Sequence, residues 1–302
     1  LGDNCKLMIS GAPTPFHAAG EFESIAFHRD VMLPFYDRYL KGMPTSYDSR
    51  AAVEYPVRNS PLKKQADMWP PAAATRERHF LGTIRTGSVN SLNDGSLHAG
   101  QPSADGDASL SFSYPQPSWV LGTAVMTPTG PDTVRGVLTF ASAPLARERV
   151  MDGHARAVIH VESSRHDTDV FIKISEQFAP DPAAPPGTQP RAVIVTKGCL
   201  RASHTLAAHA LDTRLSTSDA PCYLHETEVF AKPGTLLRLE IPLRPMAYQF
   251  SKGSRIRVEI ANTDTPVTEA VWAHIYNPQK MGTDIFHLRG DSASFVEMPF
   301  VD

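Results

Sequence analysis

Two runs of strict alternation near the C-terminus constrain this chain more than any other feature. Ile256, Val258 and Ile260 alternate with Arg255, Arg257 and Glu259, and Leu237, Leu239, Ile241 and Leu243 alternate with Arg238 and Glu240. Successive side chains of a strand point to opposite faces, so each run presents one apolar and one charged face. Between them lies the polar turn Ser251-Lys252-Gly253-Ser254, where Gly253 accepts a positive φ at little cost. The pattern predicts neighbouring strands of one sheet packed on a single core, as in a β-sandwich.

The rest of the chain extends that expectation. With 302 residues there is material for one large or two ordinary domains. The 26 prolines and 19 glycines are spread along the whole length, which favours many short strands over long helices. Strands are predicted over Val53–Val57, Arg135–Ala141, Ala155–Glu162, Asp169–Ser175, Arg191–Thr196, Ala220–Phe230 and Ser294–Phe300, with loops at Gly82–Ser109 and at the Pro-rich Ala179–Pro190. Strands of this length and spacing imply a sandwich or jelly roll. Only the beginning departs from this pattern. A short apolar run, residues 6–10, leads into the Gly- and Pro-rich loop Gly11–Gly20 that holds His17. A helix follows over Glu21–Leu40, with a kink at Pro34 and Gly42 just past its end. Strand, loop and helix form an α/β arrangement that does not recur after residue 42.

Composition narrows the function. Net charge is −3, so no basic field suggests a nucleic-acid partner. No run of eighteen apolar residues exists, as a membrane-crossing helix requires. The chain begins with Leu1, nothing there resembles a signal peptide, and a trimmed or cleaved piece of a longer polypeptide is expected. Three cysteines cannot staple a scaffold, although Cys199 and Cys222 flank a loop and their pairing is left open.

Candidate chemistry is sparse. A serine hydrolase needs a nucleophile on a sharp strand-to-helix turn, usually Gly-x-Ser-x-Gly, and no such elbow is present. Gly290-Asp291-Ser292-Ala293-Ser294 imitates it, but only eight residues follow, so Ser292 is expected in a strand. Ser203 and His204 are sequence neighbours that point to opposite faces, which argues against a nucleophile–base pair. Asp167 and Asp169 share a face, yet two carboxylates fall short of the six to eight oxygens that Ca²⁺ takes, and an ion pair with Arg201 is expected instead. The twelve histidines lack zinc spacing and no Gly-rich phosphate loop occurs, so no cofactor or metal is expected.

Several stretches carry a family resemblance. Phe250, Lys252-Gly253-Ser254-Arg255-Ile256-Arg257 and Asn262-Thr263-Asp264-Thr265-Pro266 resemble the C-terminal β-sandwich of the CocE/NonD serine hydrolases. That group includes cocaine esterase, α-amino-acid ester hydrolase and X-prolyl dipeptidyl aminopeptidase. Asp167-Thr168-Asp169, Gly198-Cys199-Leu200-Arg201-Ala202-Ser203-His204 and Ser292–Pro299 are similar to further motifs of the same sandwich, in order. Met68-Trp69-Pro70-Pro71 resembles its entry turn, and Val31–Gly42 (VMLPFYDRYLKG) the last helix of the catalytic domain.

The resemblance implies a mainly β fold: a jelly-roll, galactose-binding-like sandwich at 76–302, a connecting segment at 43–75, and the last strand and helix of an α/β-hydrolase domain at 1–42. It implies hydrolysis of a small ester or amide through an acyl-enzyme. The nucleophile and acid would be supplied by a missing N-terminal catalytic portion, the expected partner. The family's catalytic histidine closes a Gly-Pro-Trp-x-His motif. Here the loop reads Gly11-Ala-Pro-Thr-Pro-Phe-His17, in which spacing alone falls on Thr14 and the Pro-aromatic-His chemistry gives His17. His17 is therefore the candidate general base; Asp37 belongs to the helix motif and not to a triad. A non-catalytic ligand-binding or assembly module, or a degenerate hydrolase, is the alternative.

Overall fold

The computed structural model describes residues 5–11, 15–71, 74–88, 93–103, 108–114, 137–185, 188, 190–218, 220–262 and 278–301. Two compact units emerge: residues 1–74 with 247–249, and residues 75–246 with 250–302.

The first unit is α/β. Strand β1 (Leu7–Met8) runs parallel to β2 (Val53–Pro56), which pairs antiparallel with β3 (Lys63–Ala66). The segment 43–75, expected as a connection, thus contributes two of the three strands. Helix α1 (Pro15–Phe22) stands where a loop was expected. Pro15 explains the difference: its fixed φ and missing N–H suit the first helical position as well as they suit a turn. Ser24 then opens a second helical stretch, its hydroxyl accepting from the Phe27 N–H at 3.1 Å. That stretch comprises α2 (Ile25–Phe27), a π-helical turn (His28–Met32) and α3 (Leu33–Lys41). Pro34 leaves the Asp30 carbonyl without its intrahelical donor, and Arg50 Nη1 supplies one at 3.2 Å. Gly42 closes the helix with φ 67°, as expected of a residue without Cβ at that place. Residues 247–249 join this unit through Arg58, whose N–H donates to Ala247 O at 2.9 Å and whose carbonyl accepts from Gln249 N at 3.0 Å.

The second unit is a β-sandwich. Its strands are β4 (Thr75–Gly82), β5 (Asp94–His98), β6 (Ser109–Tyr114), β7 (Leu138–Ala141), β8 (Arg149–Gly153), β9 (Arg156–Ser163), β10 (Asp169–Gln177), β11 (Ala192–Arg201), β12 (Leu236–Pro242), then, after β13 (Met246–Phe250, which the two units share), β14 (Arg255–Ala261), β15 (Gly282–His287) and β16 (Phe295–Val301). They follow the order β11-β10-β14-β7-β5-β4-β16-β9-β15-β6, with β12 on β9 and β8 on β16. Ile159 and Val161 on β9, Ile172 and Ile174 on β10, Leu239 and Ile241 on β12, and Val258 and Ile260 on β14 all lie fully buried in the core.

Three expectations are corrected here. β12 and β14 are not neighbours: β12 pairs with β9, while β14 lies between β10 and β7. Alternation fixes which face is apolar, not which strand lies alongside. The charged face of β14 is itself buried. Arg257 and Glu259 are buried and ion-paired to each other, and Lys173, the register partner of Glu259, is buried too. Finally, Ala220–Phe230 forms no strand and Gly82–Ser109 contains one, β5. β5 reads as loop because it passes where only small residues fit: a Cβ on Gly95 would stand 2.6 Å from the Gly82 carbonyl.

Candidate functional site

His17 is the third residue of α1, in the first helical turn beyond β1 and not in an open loop. Its side chain, and residues 12–14 including Thr14, lie outside the described residues. Ser10, just after β1, shares a 2.5 Å hydrogen bond with Glu21 of α1. The Lys6 ammonium donates to the Tyr47 carbonyl at 2.6 Å. Between helices and sheet lies a cleft of about 330 Å³. Met8, Phe22, Phe27, Val31 and Phe35 make it apolar, with Arg50 and Glu54 ion-paired at its edge. Phe35, Tyr39 and Tyr47 form an aromatic cluster with ring centroids 5.0 to 5.9 Å apart.

The helices leave much apolar surface uncovered. Ile25 is 85% and Leu40 77% exposed, with Leu33, Tyr36, Tyr39 and Met43 also open. Single exposed apolar residues are ordinary, but a contiguous set on one helical stretch marks a contact surface. β1 is also an edge strand among the described residues, with one side paired to β2.

In the sandwich, the motif residues build structure. Ser203 and His204 do not bond each other. Ser203 is fully buried and donates to Asp167 twice, from N at 2.8 Å and from Oγ at 3.0 Å. Asp169 takes the expected ion pair from Arg201 Nε at 2.9 Å, and also the Lys280 ammonium at 2.5 Å. Burial pushes the Asp169 carboxyl up, but the hydrogen bond from Arg201 and the charge and hydrogen bond of Lys280 outweigh it and hold it below the usual range. Asp284 shows the opposite balance. Burial raises it above the usual carboxylate value despite donors on Thr168, Ser163 and Asn262, the Thr168 hydroxyl lying 2.7 Å away.

Lys280 gave no sequence signal, because it lies far from the aspartates along the chain and outside any motif. Two smaller points complete the inventory. Ser292 ends a 3₁₀ turn (Gly290–Ser292) ahead of β16, not within a strand, since the chain must bend there before Phe295 enters the sheet. No disulfide joins Cys5, Cys199 or Cys222. Among the described residues no group of three or more His, Cys, Asp or Glu side chains is placed to hold a metal ion.

With the sandwich and its Asp167–Asp169–Arg201–Ser203 core on view, comparison with known proteins is decisive. The family described as the X-Pro dipeptidyl-peptidase C-terminal non-catalytic domain matches residues 47–296. The chain belongs to this family. Candidate serine esterases of Mycobacterium bovis and Mycobacterium tuberculosis are each 28% identical to it over 246 residues, 78% of this chain and 36% of theirs. Among solved structures, a CocE/NonD family hydrolase from Staphylococcus aureus superposes with a TM-score of 0.62 at 17% identity, over 92% of this chain and 46% of that one. An aminopeptidase from a marine-sediment Thaumarchaeota archaeon gives 0.64 at 18% identity, over 92% and 44%. An α-amino acid ester hydrolase gives 0.64 at 16%, over 91% and 45%. At such identity the structures establish the fold alone, and the matched family makes the sandwich an X-Pro dipeptidyl-peptidase-type C-terminal domain. The chain spans about a third of the length of its curated relatives and under half of the solved structures.

Proposed function

We propose that this chain forms the C-terminal part of a serine hydrolase that cleaves a small ester or amide through an acyl-enzyme. Its nucleophile and acid come from sequence outside these 302 residues. Residues 1–42 are then the end of the catalytic domain, and His17 is the general base that takes the proton from the serine hydroxyl and returns it to the leaving group. The observation that supports this best is the unfinished first unit: a parallel edge strand and a helical stretch with exposed apolar side chains stand ahead of a closed sandwich. The sequence contains no nucleophile elbow, which fits a nucleophile supplied from elsewhere.

The alternative, a sandwich with no chemistry of its own, draws on the non-catalytic description of the matched domain. Labelling with a serine-directed phosphonate separates the two. The full-length protein is expected to be labelled and the 302-residue chain alone not. Labelling of the short chain would mean it holds its own activated hydroxyl, and failure of the full-length protein to react would leave the binding-module reading.

A further inference from the structure

Between β11 and β12 the chain makes a long excursion whose described residues form no strand, closed by hydrogen bonds scattered over its length. Val229 N donates to Ser203 O at 2.9 Å, Ala231 N to His166 O at 3.1 Å and Gly234 N to Ser163 O at 2.8 Å. Its mid-portion is held differently. His225 lies on the excursion, and its Nδ1 stands 2.7 Å from Nδ1 of His204, in the 3₁₀ turn that follows β11. The rings meet edge to face, with centroids 4.9 Å apart.

That separation decides between two chemistries. A tetrahedral metal with nitrogen ligands at about 2.0–2.1 Å would hold the two nitrogens roughly 3.3 Å apart. A distance of 2.7 Å is that of a hydrogen bond, so one proton sits between the rings. The far side of His204 faces Glu228, with Nε2 to Oε1 at 3.4 Å. A carboxylate there favours a proton on Nε2 and aims the Nδ1 of His204 at its neighbour. His225 itself has φ 56°, a left-handed conformation uncommon for a residue with a side chain.

We propose that His204 and His225 form an acid-sensitive catch that holds the excursion against the sandwich. The pair keeps its hydrogen bond with one bridging proton, whether neutral or singly charged. When both rings carry two protons, neither Nδ1 can accept, and two imidazolium groups face each other at contact distance.

The surroundings determine how protonation proceeds. On the far side of the pair Glu228 faces His204 at 3.4 Å, and Arg201 stands 3.4 Å from Glu228. Tyr223 packs its ring 6.2 Å from that of His225. Burial and the nearby Glu240 push its hydroxyl to about 12, so it stays neutral throughout. Burial, and then the neighbouring His204, lower the His225 pKa. A histidine depressed in the folded state contributes stability that is complete above its unfolded value of about 6.5 and is lost as pH falls through the folded one. The catch therefore holds at neutral pH and opens below it.

Hydrogen exchange of the natural full-length protein between pH 7.5 and 5, corrected for intrinsic rates, tests this. Amides of residues 222–230 are expected to gain exchange by about tenfold per pH unit once the pair titrates, while those of β9 do not change. In His225→Asn, whose side chain tolerates the left-handed backbone and carries no charge, the pH dependence should vanish. His204→Gln should behave alike. If neither variant folds, the ring ¹⁵N shifts of the wild type decide, showing a shared Nδ1 proton at pH 7.5 that is absent at pH 5. A flat wild-type profile, an unchanged profile in a folded variant, or rings that titrate independently would overturn the proposal.

Discussion

The two units solve the same problem to different degrees. In the sandwich the alternating runs of β10, β12, β14 and β16 close on a common core, so Ile172, Leu239, Val258 and Met298 lie fully buried. In the first unit a comparable apolar stripe is formed, with caps and a closed C-terminus, yet Ile25, Leu33 and Leu40 remain in solvent. Local rules finish a helix, but only tertiary packing finishes a core. A chain can therefore carry well-formed elements whose apolar side chains its own fold leaves uncovered.

The largest effect expected concerns that unfinished unit. Replacing His17 with Ala in the full-length protein should lower kcat by about 10²–10⁴-fold with KM little changed, as loss of a general base does. Steady-state kinetics check this; unchanged turnover would remove His17 from the reaction and weaken the link between the first unit and catalysis.

The sandwich offers the contrasting test. Asp169→Asn leaves Lys280 and Arg201 facing a neutral amide in a buried site, and should cost about 3–5 kcal/mol in urea unfolding. Its pH dependence follows from the lowered Asp169 pKa. That contribution is complete above the unfolded carboxylate value of about 3.9 and disappears as pH falls through the lower folded value, so the gap between wild type and variant should close in acid. Ile172→Ala, which opens a cavity in the closed core, should cost about 2–5 kcal/mol.

Leu40→Glu gives the smallest and sharpest comparison. In the 302-residue chain, where Leu40 is exposed, it should change stability by less than about 0.5 kcal/mol and reduce self-association measured by sedimentation. In the full-length protein the same substitution should cost several-fold more, because a charge would enter a covered surface. Equal effects in both would mean that nothing covers this helix.

Much of this was legible in the residues because it is local. Period-two runs gave β9, β10, β12 and β14, Gly42 gave the helix end, and Asp169 with Arg201 gave an ion pair two strands share. β5 was not legible, since Asp94-Gly95-Ser96 has a loop's composition and is extended only because its neighbours leave no room for larger side chains. Nor was the irregular path of Ala220–Phe230, whose backbone groups bond to distant partners and not to a ladder. The helix at His17 was hidden by prolines that serve a helix start and a turn equally well.

By itself the sequence determined the class of most alternating elements and the family, because alternation, turn residues and short motifs are properties of neighbouring positions. Tertiary structure alone decided that β12 lies on β9, that Arg257, Glu259 and Lys173 are buried on the charged face of their strands, and that Lys280 completes the site of Asp169. Such choices depend on which surfaces meet when the chain closes, and no local pattern encodes a contact between residues seventy or more positions apart.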